Sequence, residues 1–200
     1  MKILAIEFSS NRRNAAVLSG QNALGAASET GGRNALALVE RALAQAHIER
    51  EEIEMIAVGL GPGSYTGIRG AIALAQGWQL GRAVKLVGVS SSECLMAQVD
   101  RADPYAVVID AQRDEFYVEW PGAPLRLAAR PEVEELRATR QLIGPGISSI
   151  FQGAIDLDPD AATLGRIAAV RGDFVPGDKL EPIYLRATAF KKAAPSRLAP

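Results

Sequence analysis

Few residues of this 200-residue chain have the type and spacing for chemistry. Glu7 and Asp110 each close an apolar run that reads as a buried strand, Lys2 to Phe8 and Tyr105 to Asp110. Two carboxylates at strand ends could hold a Mg²⁺ and, through it, a phosphate, provided the fold brings them together. Between them lies Gly59-Leu60-Gly61-Pro62-Gly63-Ser64-Tyr65-Thr66-Gly67-Ile68-Arg69-Gly70, after the apolar run Met55-Ile56-Ala57-Val58 and before an Ala- and Leu-rich stretch of helical length. Strand, glycine turn and helix start form a layout that favours anions, because free backbone N–H groups and the helix dipole point at them. The candidate nucleotide-binding set is therefore Glu7, Ser9, Gly61, Gly63, Ser64 and Asp110. The spacing excludes a P-loop, since Gly67 is followed by Ile68 and Arg69 rather than Lys and Ser or Thr. It excludes a dinucleotide fingerprint too, because Ser64 or Thr66 stands where a glycine is required. A capped helix start after a tight turn explains the loop equally well, with Ser64 or Thr66 as the cap.

Other chemistries lack their residues. His47 is the one histidine and falls at a predicted helix end, where a dipole contact accounts for it. Cys94 is the one cysteine, so no internal disulfide and no His/Cys metal cage can form; no metal site is expected. A Ser-His-Asp triad would have to use His47, which has no motif around it. The formal net charge of −1 and the isolated pairs Arg12-Arg13 and Lys191-Lys192 offer no strong nucleic-acid platform. The opening run Lys2 to Ile6 is too short for a signal peptide or a membrane span. With the single cysteine, this predicts a cytoplasmic, soluble protein.

The elements that must position these groups follow from periodicity. Strands are expected at Lys2–Phe8, Asn14–Leu18, Ala23–Ser28, Met55–Gly59, Val84–Val89, Tyr105–Asp110 and Glu115–Trp120. Helices are expected at Asn34–His47, Ile68–Leu80, Ser90–Val99, Pro131–Arg140 and Ala161–Val170, with Pro121 to Pro124 as a turn. The order β-β-β-α-β-α-β-α-β predicts an α/β fold with a mixed sheet flanked by helices, the plan of a ribonuclease H-like or actin-like half. A boundary near Val99–Tyr105 gives an N-terminal lobe over 1–102, a reduced C-terminal lobe over 103–187 and a tail over 188–200.

Two helices carry more apolar or small surface than one sheet needs. On the first, Leu36, Val39, Leu43 and Ala46 form one apolar stripe and Ala35, Leu38 and Ala42 a second. Its polar strip holds only Arg33, Glu40, Arg41 and His47. On the second, Gly70, Leu74, Gly77 and Gly81 align with Ala73 beside them, although an interior glycine costs about 1 kcal/mol relative to alanine. Close packing on the chain's own sheet is one explanation; a helix bundle with another polypeptide is the other. The partner-binding set is Leu36, Val39, Leu43, Gly70, Ala73, Leu74, Gly77 and Gly81.

Four segments carry a family resemblance: Ile3 to Ser10, Gly59 to Gly70, Leu86 to Ser91 and Ile109 to Tyr117. They resemble the bacterial TsaB (YeaZ) family, as does Pro182-Ile183-Tyr184-Leu185-Arg186 near the end. The run Gly61-Pro62-Gly63-Ser64-Tyr65-Thr66-Gly67-Ile68-Arg69 is its most specific motif. The resemblance implies an ASKHA (actin-like ATPase) fold and a noncatalytic subunit in the formation of threonylcarbamoyladenosine next to the tRNA anticodon. It implies a helix-bundle pairing with TsaD and, as a homodimer, with a second copy, and a ternary complex with TsaE, while TsaC supplies threonylcarbamoyl-adenylate. It does not imply strong tRNA binding by this chain alone or a membrane. No cofactor is required; ATP or ADP at the partner interface is the one the resemblance allows. TsaD carries a His-x-x-x-His metal pair, and the corresponding positions here are Ser91 and Leu95.

The sequence also departs from that family. Glu7-Phe8-Ser9-Ser10 stands where Asp-Thr-Ser-Thr is usual, Arg33-Asn34 where His-Ser is frequent, and the second lobe is short. The competing readings are an active ASKHA-type ATPase or phosphotransferase using Glu7, Asp110 and the glycine loops, and a metallopeptidase, for which the histidines are missing.

Overall fold

The structure, a computed structural model, describes residues 1–31, 34–100 and 102–185. Arg33, Lys191, Lys192 and the tail fall outside the described residues. The chain begins with three strands in a meander, β1 (Lys2–Glu7), β2 (Arg12–Ser19) and β3 (Asn22–Thr30), followed by α1 (Ala35–Ala46). β4 (Met55–Gly59), α2 (Tyr65–Gly81), β5 (Lys85–Val89) and α3 (Ser91–Ala97) complete the first part. The sheet order is β3-β2-β1-β4-β5, with β1, β2 and β3 antiparallel and β1, β4 and β5 parallel. This is the mixed sheet of the ribonuclease H-like, actin-like fold that the element order predicts.

Period-two alternation sends the two sides of each strand into different cores. Leu4, Ile6, Val17, Ile56 and Val58 pack with α1 and α2, while Ile3, Ala5, Leu18, Met55 and Ala57 pack on the opposite face. That face is covered by α5 (Ala161–Val170), from the far end of the chain. A Cβ on Gly165 would lie 2.4 Å from Leu18 Cδ1, so α5 sits as low on the sheet as its backbone allows.

A second sheet is built from β6 (Tyr105–Asp110), β7 (Glu115–Trp120), β8 (Ala123–Ala129), β9 (Gln141–Gly144) and β10 (Ile155–Asp156), in the order β10-β9-β6-β7-β8. With α4 (Arg130–Arg137) it encloses a small core in which Phe116 and Phe151 meet edge to face, centroids 5.0 Å apart. β8 lies where a turn alone is expected. The turn narrows to Gly122 (φ +86°), and Pro124 is tolerated because β8 is an edge strand. After α5 the chain returns to the first part. Val175 bridges to Leu86, a short 3₁₀ turn over Gly177–Lys179 follows, and Leu180 is buried in the α1/α2 core. Residues 161–180 thus belong in space with the first sheet, although they follow the second in sequence. Among the described residues no helix is long and apolar enough to cross a membrane.

Candidate functional site

The carboxyl ends of the parallel strands β1, β4 and β5 meet at one spot, where open α/β sheets generally hold ligands. Glu7, the last residue of β1, turns its side chain into this crevice and is fully buried. Its carboxylate accepts the Ser9 backbone N–H at 2.7 Å and the Ser91 hydroxyl at 2.8 Å. Gly59, which ends β4, leaves room for it: a Cβ there would fall 2.1 Å from Glu7 Oε2. Burial raises the Glu7 pKa above the usual carboxylate value; the hydrogen bonds from Ser9 and Ser91 oppose this, and the Asp158 charge adds to it.

The glycine loop closes onto the same residues. The Gly61 N–H donates to Ser91 Oγ at 3.2 Å, and the Ser91 N–H returns to the Gly61 carbonyl at 2.7 Å. The Ser64 N–H donates to the Ser9 carbonyl at 2.6 Å. A Cβ on Gly63 would lie 2.2 Å from that carbonyl, and one on Gly67 2.0 Å from the Phe8 carbonyl, so both glycines are required by the close approach of the backbone just past β1. Ser64 caps α2 by accepting the Gly67 N–H at 3.3 Å, which starts the helix at Tyr65, a turn earlier than periodicity alone suggests. The backbone donors of Gly61 and Ser64, which would cradle a phosphate, are engaged within the chain. The carboxyl group beside them is the chain's own Glu7.

Asp110, the last residue of β6, has partners of its own. Its carboxylate accepts from the Gln112 N–H at 2.7 Å and from Gln112 Nε2 at 3.2 Å, as an acidic residue capping its own turn. The hydrogen-bond partners of Asp110 and Glu7 are therefore different, Gln112 for the one and Ser9 and Ser91 for the other. Ser91 is engaged with Glu7, and Leu95 is fully buried beside Val107, Ile109 and Tyr117. His47 ends α1 in a left-handed conformation, its N–H on the Ala44 and Leu43 carbonyls. The Cys94 thiol is buried, which raises its pKa far above the ordinary thiol value and leaves it unreactive.

The partner-binding set separates into two groups. Val39 and Leu43 are buried in the chain's own core, and Leu74 packs partly against it; the wide apolar arc of α1 is mostly explained by its own sheet. Leu36 remains 48% exposed. On α2 the buried line is Ile68, Ala71, Ile72 and Ala75, and Gly70, Ala73, Gly77 and Gly81 lie on the opposite, exposed side. A Cβ at Gly70, Gly77 or Gly81 would meet nothing within 4 Å. Close packing within the chain therefore does not account for these glycines. Gly81 is the last residue of α2 and needs only the ordinary explanation of a helix end. Tyr65 and Leu80, 55% and 91% exposed, stand at the two ends of α2. Arg69 donates to the Tyr65 hydroxyl at 2.6 Å, and Tyr65 stacks on Tyr184 with centroids 5.5 Å apart. Sequence reading missed this stack because its two rings are far apart along the chain.

A sequence profile described as TsaD, tRNA N6-adenosine threonylcarbamoyltransferase, matches residues 26–146. The Escherichia coli K12 protein named tRNA threonylcarbamoyladenosine biosynthesis protein TsaB is 26% identical over 194 residues, covering 81% of this chain and 83% of that protein. The Haemophilus influenzae protein of the same name is 25% identical over 139 residues, 68% of this chain and 58% of that one. YeaZ from Pseudomonas aeruginosa has a similar solved structure, with a TM-score of 0.69 and 25% identity over 92% of this chain and 99% of that one. A second Pseudomonas aeruginosa structure, described as similar to peptidase YeaZ, reaches a TM-score of 0.72 at 26% identity over the same shares. With more than half of its length inside the TsaD profile and the TsaB and YeaZ proteins alike over most of the chain, this protein belongs to the TsaD family and, within it, to the TsaB (YeaZ) group.

Proposed function

We propose that this chain is a noncatalytic, cytoplasmic subunit in the biosynthesis of tRNA threonylcarbamoyladenosine, and that TsaD docks on the exposed faces of α1 and α2. The observation that carries the reading is the pair Gly70 and Gly77. Two helix-interior glycines cost about 1 kcal/mol each relative to alanine, yet no group of the chain comes close enough to need them. Their small size is explained if a second helix lies against α2, with Leu36 on the neighbouring α1 at its flank. The same face could serve a second copy of the chain, and TsaE would join the pair with TsaD. In this reading the lobe expected over 1–102, completed by residues 161–180, presents the docking helices, and the second sheet with α4 is what remains of the reduced lobe expected over 103–187.

The strand-end crevice supports the noncatalytic part. A nucleotide phosphate placed there would meet the Glu7 carboxylate, with the Gly61 and Ser64 donors already occupied. Any ATP or ADP in the working complex would then lie at the partner interface rather than in this crevice. The test is reconstitution: the isolated chain hydrolyses no ATP, and adding it to TsaD, TsaC and TsaE restores threonylcarbamoylation of tRNA. ATP turnover by the chain alone that disappears with Glu7→Ala would overturn the noncatalytic reading. Unimpaired tRNA modification without the chain would overturn the role itself.

A further inference from the structure

A cavity of about 240 Å³ opens between β2, β3 and the 158–160 connector that leads into α5, beside Asn14, the cross-strand neighbour of Glu7. Ala26 gives its floor a short side chain, while Ala15 and Ala27, whose methyl groups belong to the α1/α2 core, line it with backbone alone. At ~30 Å³ per water it has room for about eight waters, or one small metabolite in their place. Asn14 stiffens the wall: its amide donates to the Pro159 carbonyl at 3.0 Å, and its oxygen accepts the Ala161 N–H.

The charges on the lining are arranged unusually. The Asp160 carboxylate is used, accepting the Thr163 N–H and hydroxyl to cap α5. Arg12 and Asp158 also line the cavity, and among the described residues neither side chain has a hydrogen-bond or ion-pair partner. They do not pair with each other, although they bear opposite charges on one small cavity. A guanidinium recognises a carboxylate through paired N–H donors, and a carboxylate accepts from an ammonium group. We propose that this cavity binds a small zwitterion of the α-amino acid class, its carboxylate on Arg12 and its ammonium on Asp158. The inference does not depend on the docking face of α2, which belongs to the opposite side of the sheet.

The test is calorimetry and saturation-transfer NMR on the whole chain with L-threonine, its N-acetyl derivative and its methyl ester. The zwitterion gives saturable binding at millimolar concentration or below, and each derivative, missing one charge, binds about tenfold more weakly or worse. Arg12→Gln removes the discrimination against the methyl ester, and Asp158→Asn removes that against the N-acetyl form, in variants whose thermal melts match the parent. Absence of saturable binding by the folded parent chain overturns the proposal. So does equal binding of all three ligands. If the N-acetyl form binds as tightly as the amino acid, the site takes simple carboxylates and the zwitterion assignment is wrong.

Discussion

The Ser91 hydroxyl donates to the Glu7 carboxylate at 2.8 Å, joining the start of α3 to the end of β1 across 84 residues of sequence. A third wall, Gly59, stands so close that even a methyl group would collide with the carboxylate. That closure leaves the Glu7 side chain fully buried at the strand ends.

The first prediction concerns pH. Burial raises the Glu7 pKa in the folded protein above its ordinary value of 4.5, so folding favours the protonated acid. The native state then binds more protons than the unfolded chain, and the Glu7 contribution is fully present below pH ~4.5 and lost as pH rises through the folded-state value. Glu7→Gln keeps the shape without the ionisation. Urea unfolding of both forms across pH should show the variant gaining on the parent as pH increases. A difference independent of pH would refute the burial argument.

Gly59 and Gly77 make a paired prediction about stability. Gly59→Ala places a methyl group against Glu7 and should cost about 1–3 kcal/mol, as overpacking does. Gly77→Ala meets open space on an exposed helix and should stabilise the isolated chain by about 0.5–1 kcal/mol. Chemical denaturation of the two variants side by side measures both signs.

Bulk at Gly77 should behave differently toward a partner. Gly77→Leu should leave the far-ultraviolet circular dichroism and melting temperature close to the parent's, while titration calorimetry against TsaD shows affinity falling at least tenfold, ~1.4 kcal/mol. Unchanged affinity in the folded variant removes α2 from the docking face.

The Tyr65–Tyr184 stack holds the last described residues against the start of α2. Tyr184→Ala should cost about 0.5–1.5 kcal/mol locally. The Ile183 amide, bonded to the Leu60 carbonyl at 2.9 Å, should exchange faster in deuterium. The Val175 amide on Leu86 should keep its protection, because buried Leu180 anchors the chain between them. Equal acceleration of both amides would show that the segment opens as one unit.

Much of the first sheet was legible because its strands alternate cleanly between two cores, and runs such as Ile3-Leu4-Ala5-Ile6 suit a strand covered on both sides. The exposed side of α2 was legible too, since glycine recurs at helical spacing with no other local reason. Burial of Val39 and Leu43 was not, because the width of an apolar arc says how much surface a helix can cover but not whose. Nor could sequence foretell that Asp110 caps its own turn while Glu7 finds Ser91. Both acids end strands, and only tertiary placement separates them. The return of α5 to the first sheet was hidden for a similar reason: Gly165 reads as a helix weakness until Leu18 is found beneath it.

The short helix α3 has a mechanical consequence. Its neighbouring residues Cys94 and Leu95 are rooted in different cores, one under the first sheet and one under the second, and Ser92 is tied to Glu119 of β7. Arg171, just past α5, clamps Glu93 through both carboxylate oxygens at 2.7 and 2.6 Å. Swinging one half of the molecule against the other would have to uproot this rivet from both sides at once. The turn of backbone between Cys94 and Leu95 is thus the place where a movement in either core would be passed to the other.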